Sequence, residues 1–157
     1  MEILPSLYRE VAEQAKKMGE TNDCSVRALA LTTGRPYAEV HAALKAAGRK
    51  DGHGTYTPQL HAAAKALGFH LIAWTRDQMI EMMKSYPGAD PERVVKNKTW
   101  ITPKHLTRFE KQWAPHKPFP MIWHTVDHSI AVVGGRPQDW TTGRSHRITR
   151  IFRVVKI

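Results

Sequence analysis

Four stretches in the first 68 residues carry apolar side chains at three- and four-residue spacing, and each stops at a glycine. That spacing lines one face of an α-helix, and a glycine just past the last periodic residue is a stop signal because it accepts the left-handed backbone that ends a helix. Residues 3 to 18 present Leu7, Val11, Ala15 and Met18 before Gly19, and Val26, Leu29, Ala30 and Thr33 precede Gly34. Val40, Leu44 and Ala47 follow a Pro36 placed at a first helical position and precede Gly48. Leu60, Ala64 and Leu67 follow a Thr57 cap and Pro58 and precede Gly68. From Phe69 onward the pattern changes to short apolar runs, at 69–74, 121–124, 128–133 and 148–155, which predict strands. Helices first and an antiparallel sheet at the end predict an α+β fold.

Between the first and second of these strands, Asp77 to Ser85 predicts a helix broken by Tyr86-Pro87-Gly88, and Asp90-Pro91 caps a further short one. Thr102-Pro103 opens a helix over Lys104 to Trp113, with Leu106, Phe109 and Trp113 on one side. Pro115, Pro118 and Pro120 make a stiff extended connector into Met121. No repeat and no interdomain linker interrupts the 157 residues, so a single domain over 1–157 is expected, large enough to bury a core without disulfide staples.

The chain has one cysteine, which excludes an internal disulfide framework and fits a reducing cytoplasm. No apolar run is long enough to span a bilayer, and Met1-Glu2-Ile3-Leu4-Pro5 lacks the charged head and apolar run of a signal peptide. A soluble cytoplasmic protein with no membrane partner is the expectation. That single residue, Cys24, falls in the first turn of the helix that Asn22 and Asp23 introduce as capping residues. Unpaired N–H groups and the positive end of the helix dipole favour a thiolate there. A buried, inert cysteine is the plain alternative.

At the other end, His128 opens the apolar run Ser129-Ile130-Ala131-Val132-Val133, Gly134-Gly135 supplies a tight turn, and Arg136-Pro137-Gln138-Asp139-Trp140 returns. A two-residue turn on Gly134-Gly135 sets His128 opposite Thr141 and diagonal to Asp139. A turn centred on Val133-Gly134 sets it opposite Asp139. Either register brings carboxylate and imidazole within reach. A helix-start cysteine, a histidine and an acid form the set that nucleophilic acyl chemistry requires: base, nucleophile and a group that fixes the base's tautomer.

The order Cys24, His128, Asp139, with a helix before the sheet, resembles the papain-like cysteine peptidase superfamily. Within it, Asn22-Asp23-Cys24-Ser25-Val26-Arg27-Ala28-Leu29-Ala30 is most similar to the helix-opening motifs of ovarian-tumour-type deubiquitinases and of small phage-encoded papain-fold proteins. The resemblance implies a papain-like fold and a thiol protease or deconjugating hydrolase with a catalytic triad, acting on a protein or peptide in a phage setting. In it Cys24 is the nucleophile, His128 the general base, Asp139 the orienting acid and Trp140 the shield that follows the acid. The glutamine that papain-type enzymes carry six residues before the cysteine is Met18 here, and the acid of the ovarian-tumour-type motif is Thr21. The second oxyanion donor beside the Cys24 N–H is therefore assigned first to Asn22 and then to Thr21. A papain-like domain that only binds or inhibits is the non-catalytic alternative.

Nine histidines raise the question of a metal. His124 and His128 share a face if one strand runs through both, with Asp127 pointing away, and a zinc site then needs Cys24, His53, His61 or His146. No segment has finger-like spacing, so no metal and no cofactor is expected. His124 is also the rival of His128 as base, and His128 is preferred because it adjoins the apolar run and reaches Asp139. The loop Arg49 to Tyr56, rich in glycine, reads as a connector or as the border of a substrate groove. Twenty-four Lys and Arg against 14 Asp and Glu give a net charge of +10, which favours nucleic acid or another polyanion as a partner. The densest stretch, Arg144 to Arg153, alternates as a terminal strand whose arginines face solvent and discourage edge pairing.

Overall fold

The computed structural model of the protein describes residues 5–75, 77–78, 119–134, 136–140 and 148–157. Within them lie four helices, α1 (Pro5–Lys17), α2 (Cys24–Thr33), α3 (Tyr37–Ala46) and α4 (Thr57–Ala66), and five strands, β1 (Phe69–Ala73), β2 (Met121–His124), β3 (Ser129–Val133), β4 (Arg136–Gln138) and β5 (Arg150–Lys156). Of the helix expected over Asp77 to Ser85, Asp77 and Gln78 are described and helical and the rest lies outside the described residues, as do the helices expected after Asp90-Pro91 and over 104–113, Pro115, Pro118, Thr141, His146 and the Met1 to Leu4 segment.

All pairings are antiparallel, in the order β1-β5-β2-β3-β4, so the fold is α+β. The last strand in sequence lies inside the sheet, paired to β1 on one side and β2 on the other. Its arginines therefore do not guard an edge; among the described residues β1 and β4 are the outer strands. Arg153 instead lays its guanidinium over Phe119, 4.1 Å from the ring centroid.

The glycine stops hold. Gly34 ends α2 in the left-handed region, at φ 71°, and returns its N–H to the Ala30 carbonyl. Two starts move by one residue: Pro36 caps α3 instead of opening it, and Tyr56 caps α4, where the Gln59 side chain accepts the Tyr56 N–H at 2.9 Å. On α1 the inward stripe is Tyr8, Val11 and Ala15, whereas Leu7 and Met18 are exposed.

Helix α2 is the centre of the packing. Ser25, Val26 and Ala28 to Thr32 are all buried, against β3, α1 and α3. Ile122, Ala131, Phe152, Val154 and Leu71 supply the sheet side of this core, one face of the pleat. Met121, Trp123, Ile130, Val132 and Ile151, on the opposite face, are buried as well. A helix with so wide a buried surface is fixed in rotation and translation, and so is the residue at its first position, Cys24. No helix among the described residues is long and apolar enough to cross a membrane.

Candidate active site

Asp23 occupies the N-cap position of α2, but its carboxylate makes no capping bond. Oδ2 instead accepts Arg27 Nε at 2.9 Å and the Tyr37 hydroxyl at 2.8 Å, which leaves the first turn without a side-chain cap from Asp23. Asn22, at φ 51°, takes the left-handed conformation, and its Nδ2 donates to the Gly52 carbonyl at 2.9 Å. These two turns of the chain present Cys24 at the surface end of a buried helix.

The β3–β4 register pairs Ala131 with Gln138, Val132 with Pro137 and Val133 with Arg136. It is the first of the two expected registers, with Asp139 diagonal to His128. Nε2 of His128 lies 3.1 Å and 3.0 Å from the two Asp139 oxygens. The Asp139 carboxylate is almost wholly buried, and His128 is 12 % exposed.

Sequence-distant Cys24 and His128 meet. The His128 ring stands at the Cys24 thiol, and the Ser129 backbone N–H and the Ser25 hydroxyl also favour its charged form. Since Nε2 faces Asp139, the ring nitrogen left for the sulfur is Nδ1. Burial by itself would push the thiol up, but these neighbours and the imidazolium charge outweigh it and hold Cys24 below the ordinary thiol range. On His128, burial alone would disfavour the charged ring. The Asp139 hydrogen bond, followed by the Cys24 contact, reverses this and raises it to about 9. Each group thus favours the charged form of the other, the imidazolium the thiolate and the thiolate the imidazolium.

Trp140 meets the His128 ring edge-on, with centroids 4.8 Å apart. His124, the rival base, sits at the end of β2, and the Thr125 to Asp127 turn separates it from His128, so no single strand runs through both. Burial first, then Arg150, His61 and His128, lower His124 to about 4, so it is neutral where His128 is charged. Asp127 accepts the Thr125 hydroxyl at 3.1 Å in that turn.

Two clefts, about 600 and 590 Å³, meet at the pair, and Cys24, Gly54, Asp127 and His128 line both. Lys50, His53 and Tyr56 border the first, so the glycine-rich loop does reach the groove. Tyr8, Thr21, Asn22, Arg27 and Trp140 border the second. Both candidate oxyanion residues thus face the cleft that Cys24 lines.

Glu20 holds this loop in place. Its Oε1 accepts the Gly52 N–H at 2.6 Å, and its Oε2 contacts His41 Nε2 at 2.6 Å and Arg49 Nη1 at 3.1 Å. Burial would raise the Glu20 carboxyl, but the Arg49, Gly52 and His41 hydrogen bonds bring it down to about 2. Glu20, His41 and Asp51 bring three metal-type donor atoms within 4.8 Å of one another, a different set from the histidines singled out in the sequence. Arg49 already supplies positive charge to the same carboxylate.

Glu20 and Tyr8 carry no signal in the sequence, and Ser25, Arg27 and Ser129 stand there only as members of longer stretches. Only Asp23 and Arg27 carried a usable signal, an acid and a base four apart at a helix start. The chain matches no family model, no curated protein and no solved structure.

Proposed function

We propose that the protein is a papain-like cysteine hydrolase that cleaves a peptide, isopeptide or related amide bond through a thioester. The observation that carries this reading is one continuous contact from the Cys24 sulfur to the His128 ring to the Asp139 carboxylate, at the junction of two clefts. The Cys24 sulfur attacks the amide carbonyl carbon to form a C–S bond, and His128 delivers its proton to the leaving nitrogen as the C–N bond breaks. Water then attacks the thioester, His128 takes the water proton, and the C–S bond breaks to release the acid and restore the thiol. Asp139 keeps the ring oriented throughout. The Cys24 N–H and the Asn22 amide, with Thr21 as the alternative, receive the oxyanion. The substrate is a protein or peptide long enough to lie across both clefts.

The test is cleavage of a mixed peptide-amide library followed by mass spectrometry. Cleavage lost in Cys24→Ala and in His128→Ala, with an acyl adduct on Cys24 trapped at low pH, supports the reading. Cleavage that survives Cys24→Ala, or a library left wholly intact, overturns it.

A further inference from the structure

Arg27 lies one turn beyond Asp23 on the helix that begins with Cys24, and it is spent on contacts that no reacting atom makes. Nε binds Asp23 Oδ2 at 2.9 Å, Nη1 donates to the Tyr8 hydroxyl at 3.1 Å, and the guanidinium carbon stands 5.3 Å from the centroid of the Trp140 ring. Trp140 is half exposed, with Tyr8 on it at 6.4 Å and His128 at 4.8 Å. A half-exposed indole needs something to fix it, and a cation against its face does so. Trp140 also directly follows Asp139, so whatever holds the indole holds the chain that supplies the carboxylate to His128.

We propose that Arg27 is a positioning residue: its guanidinium ties the helix that carries the nucleophile to Trp140, and so keeps the indole closed over His128 and Asp139 in line with the ring. Only arginine meets all three demands at once, since its rigid fork serves Asp23 and Tyr8 while its plane meets the indole. Asp23 is itself fixed by the buried Tyr37 hydroxyl, which anchors the brace to the core. With the brace gone, water reaches the Cys24–His128 contact and weakens the attraction between thiolate and imidazolium there, because charges attract less in a wetter surrounding. The inference rests on the thiol–imidazole pairing of the proposed function, and the readout below needs no substrate.

The experiment is the rate of Cys24 alkylation by iodoacetamide from pH 5 to 10 in the full chain, with melting curves to confirm folding. The midpoint of the acid limb reports the thiolate. Arg27→Met and Trp140→Ala are each expected to raise it by about one pH unit, a tenfold loss of thiolate at a fixed pH below the midpoint. Trp140→Phe, which keeps an aromatic face, stays within about twofold of the parent rate, and Arg27→Lys, which keeps charge without the fork, shifts as Arg27→Met does. Because both act through one contact, Arg27→Met with Trp140→Ala shifts no further than Trp140→Ala alone. A parent-like profile for Arg27→Met, or shifts that add in the double variant, overturns the proposal. If Arg27→Met does not fold, Arg27→Lys is read in its place by the same criterion. A parent protein that labels at a free-cysteine rate, unchanged by His128→Ala, instead sinks the thiol–imidazole pairing itself.

Discussion

The Ser25 hydroxyl stands 3.1 Å from the Ser129 hydroxyl, a buried contact between residues 104 apart in sequence. Each is the neighbour of a reacting residue: Ser25 follows Cys24 and Ser129 follows His128. The pair locks the first turn of α2 onto the first residue of β3, and the backbone N–H of the same Ser129 favours the charged form of Cys24. A buried hydroxyl left without its partner costs about 1–3 kcal/mol, whereas removing both partners costs less than the two losses together. Ser129→Ala is therefore expected to lower stability in urea by about that amount, and Ser25→Ala with Ser129→Ala to recover part of it. Strict additivity of the two in equilibrium unfolding would show that the hydroxyls do not interact.

The charged state of the pair sets its pH window. His128 is raised from 6.5 to about 9 in the folded chain, so it contributes stability that is fully present below about 6.5 and is lost as pH rises through 9. Turnover should hold through neutral pH and decline near pH 9 as the imidazolium gives up the proton the leaving group needs. Asp139→Asn removes the charge that opposes burial and leaves a neutral amide oxygen as the acceptor for the ring. The alkaline limb should then fall by roughly one to two units, because burial alone favours the neutral ring. Proton NMR titration of the His128 ring measures this directly, and an unmoved midpoint in Asp139→Asn would count against Asp139 as the orienting acid.

Glu20 gives an acid limb of the opposite sign. Its carboxyl is depressed from 4.5 to about 2, so the stability it supplies is present above about 4.5 and drains away as pH falls toward 2. Glu20→Gln should remove much of this at pH 7 and leave stability nearly flat from pH 4.5 to 2, where the parent loses it. Denaturant midpoints at three pH values decide the matter; parallel curves for parent and variant would mean that Glu20 is not the clamp.

The parts of this molecule that follow local rules were legible before any coordinates. Glycine stops are settled by backbone sterics, and they place Cys24 at a helix start, while the hairpin signal narrows Asp139 to two registers, both within reach of His128. What the sequence could not disclose depends on long-range partners. Asp23 was read as a cap because its type and place suit one, yet Arg27 and Tyr37 compete for the carboxylate and win it. The alternation of β5 suits an edge strand because strand order is invisible in a period-two pattern; Arg150 is exposed, but β1 from far upstream pairs with that strand and takes the edge from it. Ser25 and Ser129 resemble any other small polar residues until α2 lies on β3.

Asn22 separates anchoring from catalysis. Its amide gives one N–H to the Gly52 carbonyl, and an amide nitrogen has a second. That second donor, on a residue lining the same cleft as Cys24, is the one assigned to the oxyanion. Asn22→Gly keeps the left-handed backbone at φ 51° without strain, so it removes the side chain and little else. Iodoacetamide alkylation displaces iodide and forms no oxyanion, whereas amide cleavage passes through one. If Asn22 is the donor, Asn22→Gly lowers turnover by on the order of 10²-fold while alkylation stays near the parent rate. If it only anchors the loop, the two rates fall together and the melting point drops with them. Thr21→Val, run beside it, takes the alternative donor away, and a large loss of turnover there with Asn22→Gly active would move the assignment to Thr21.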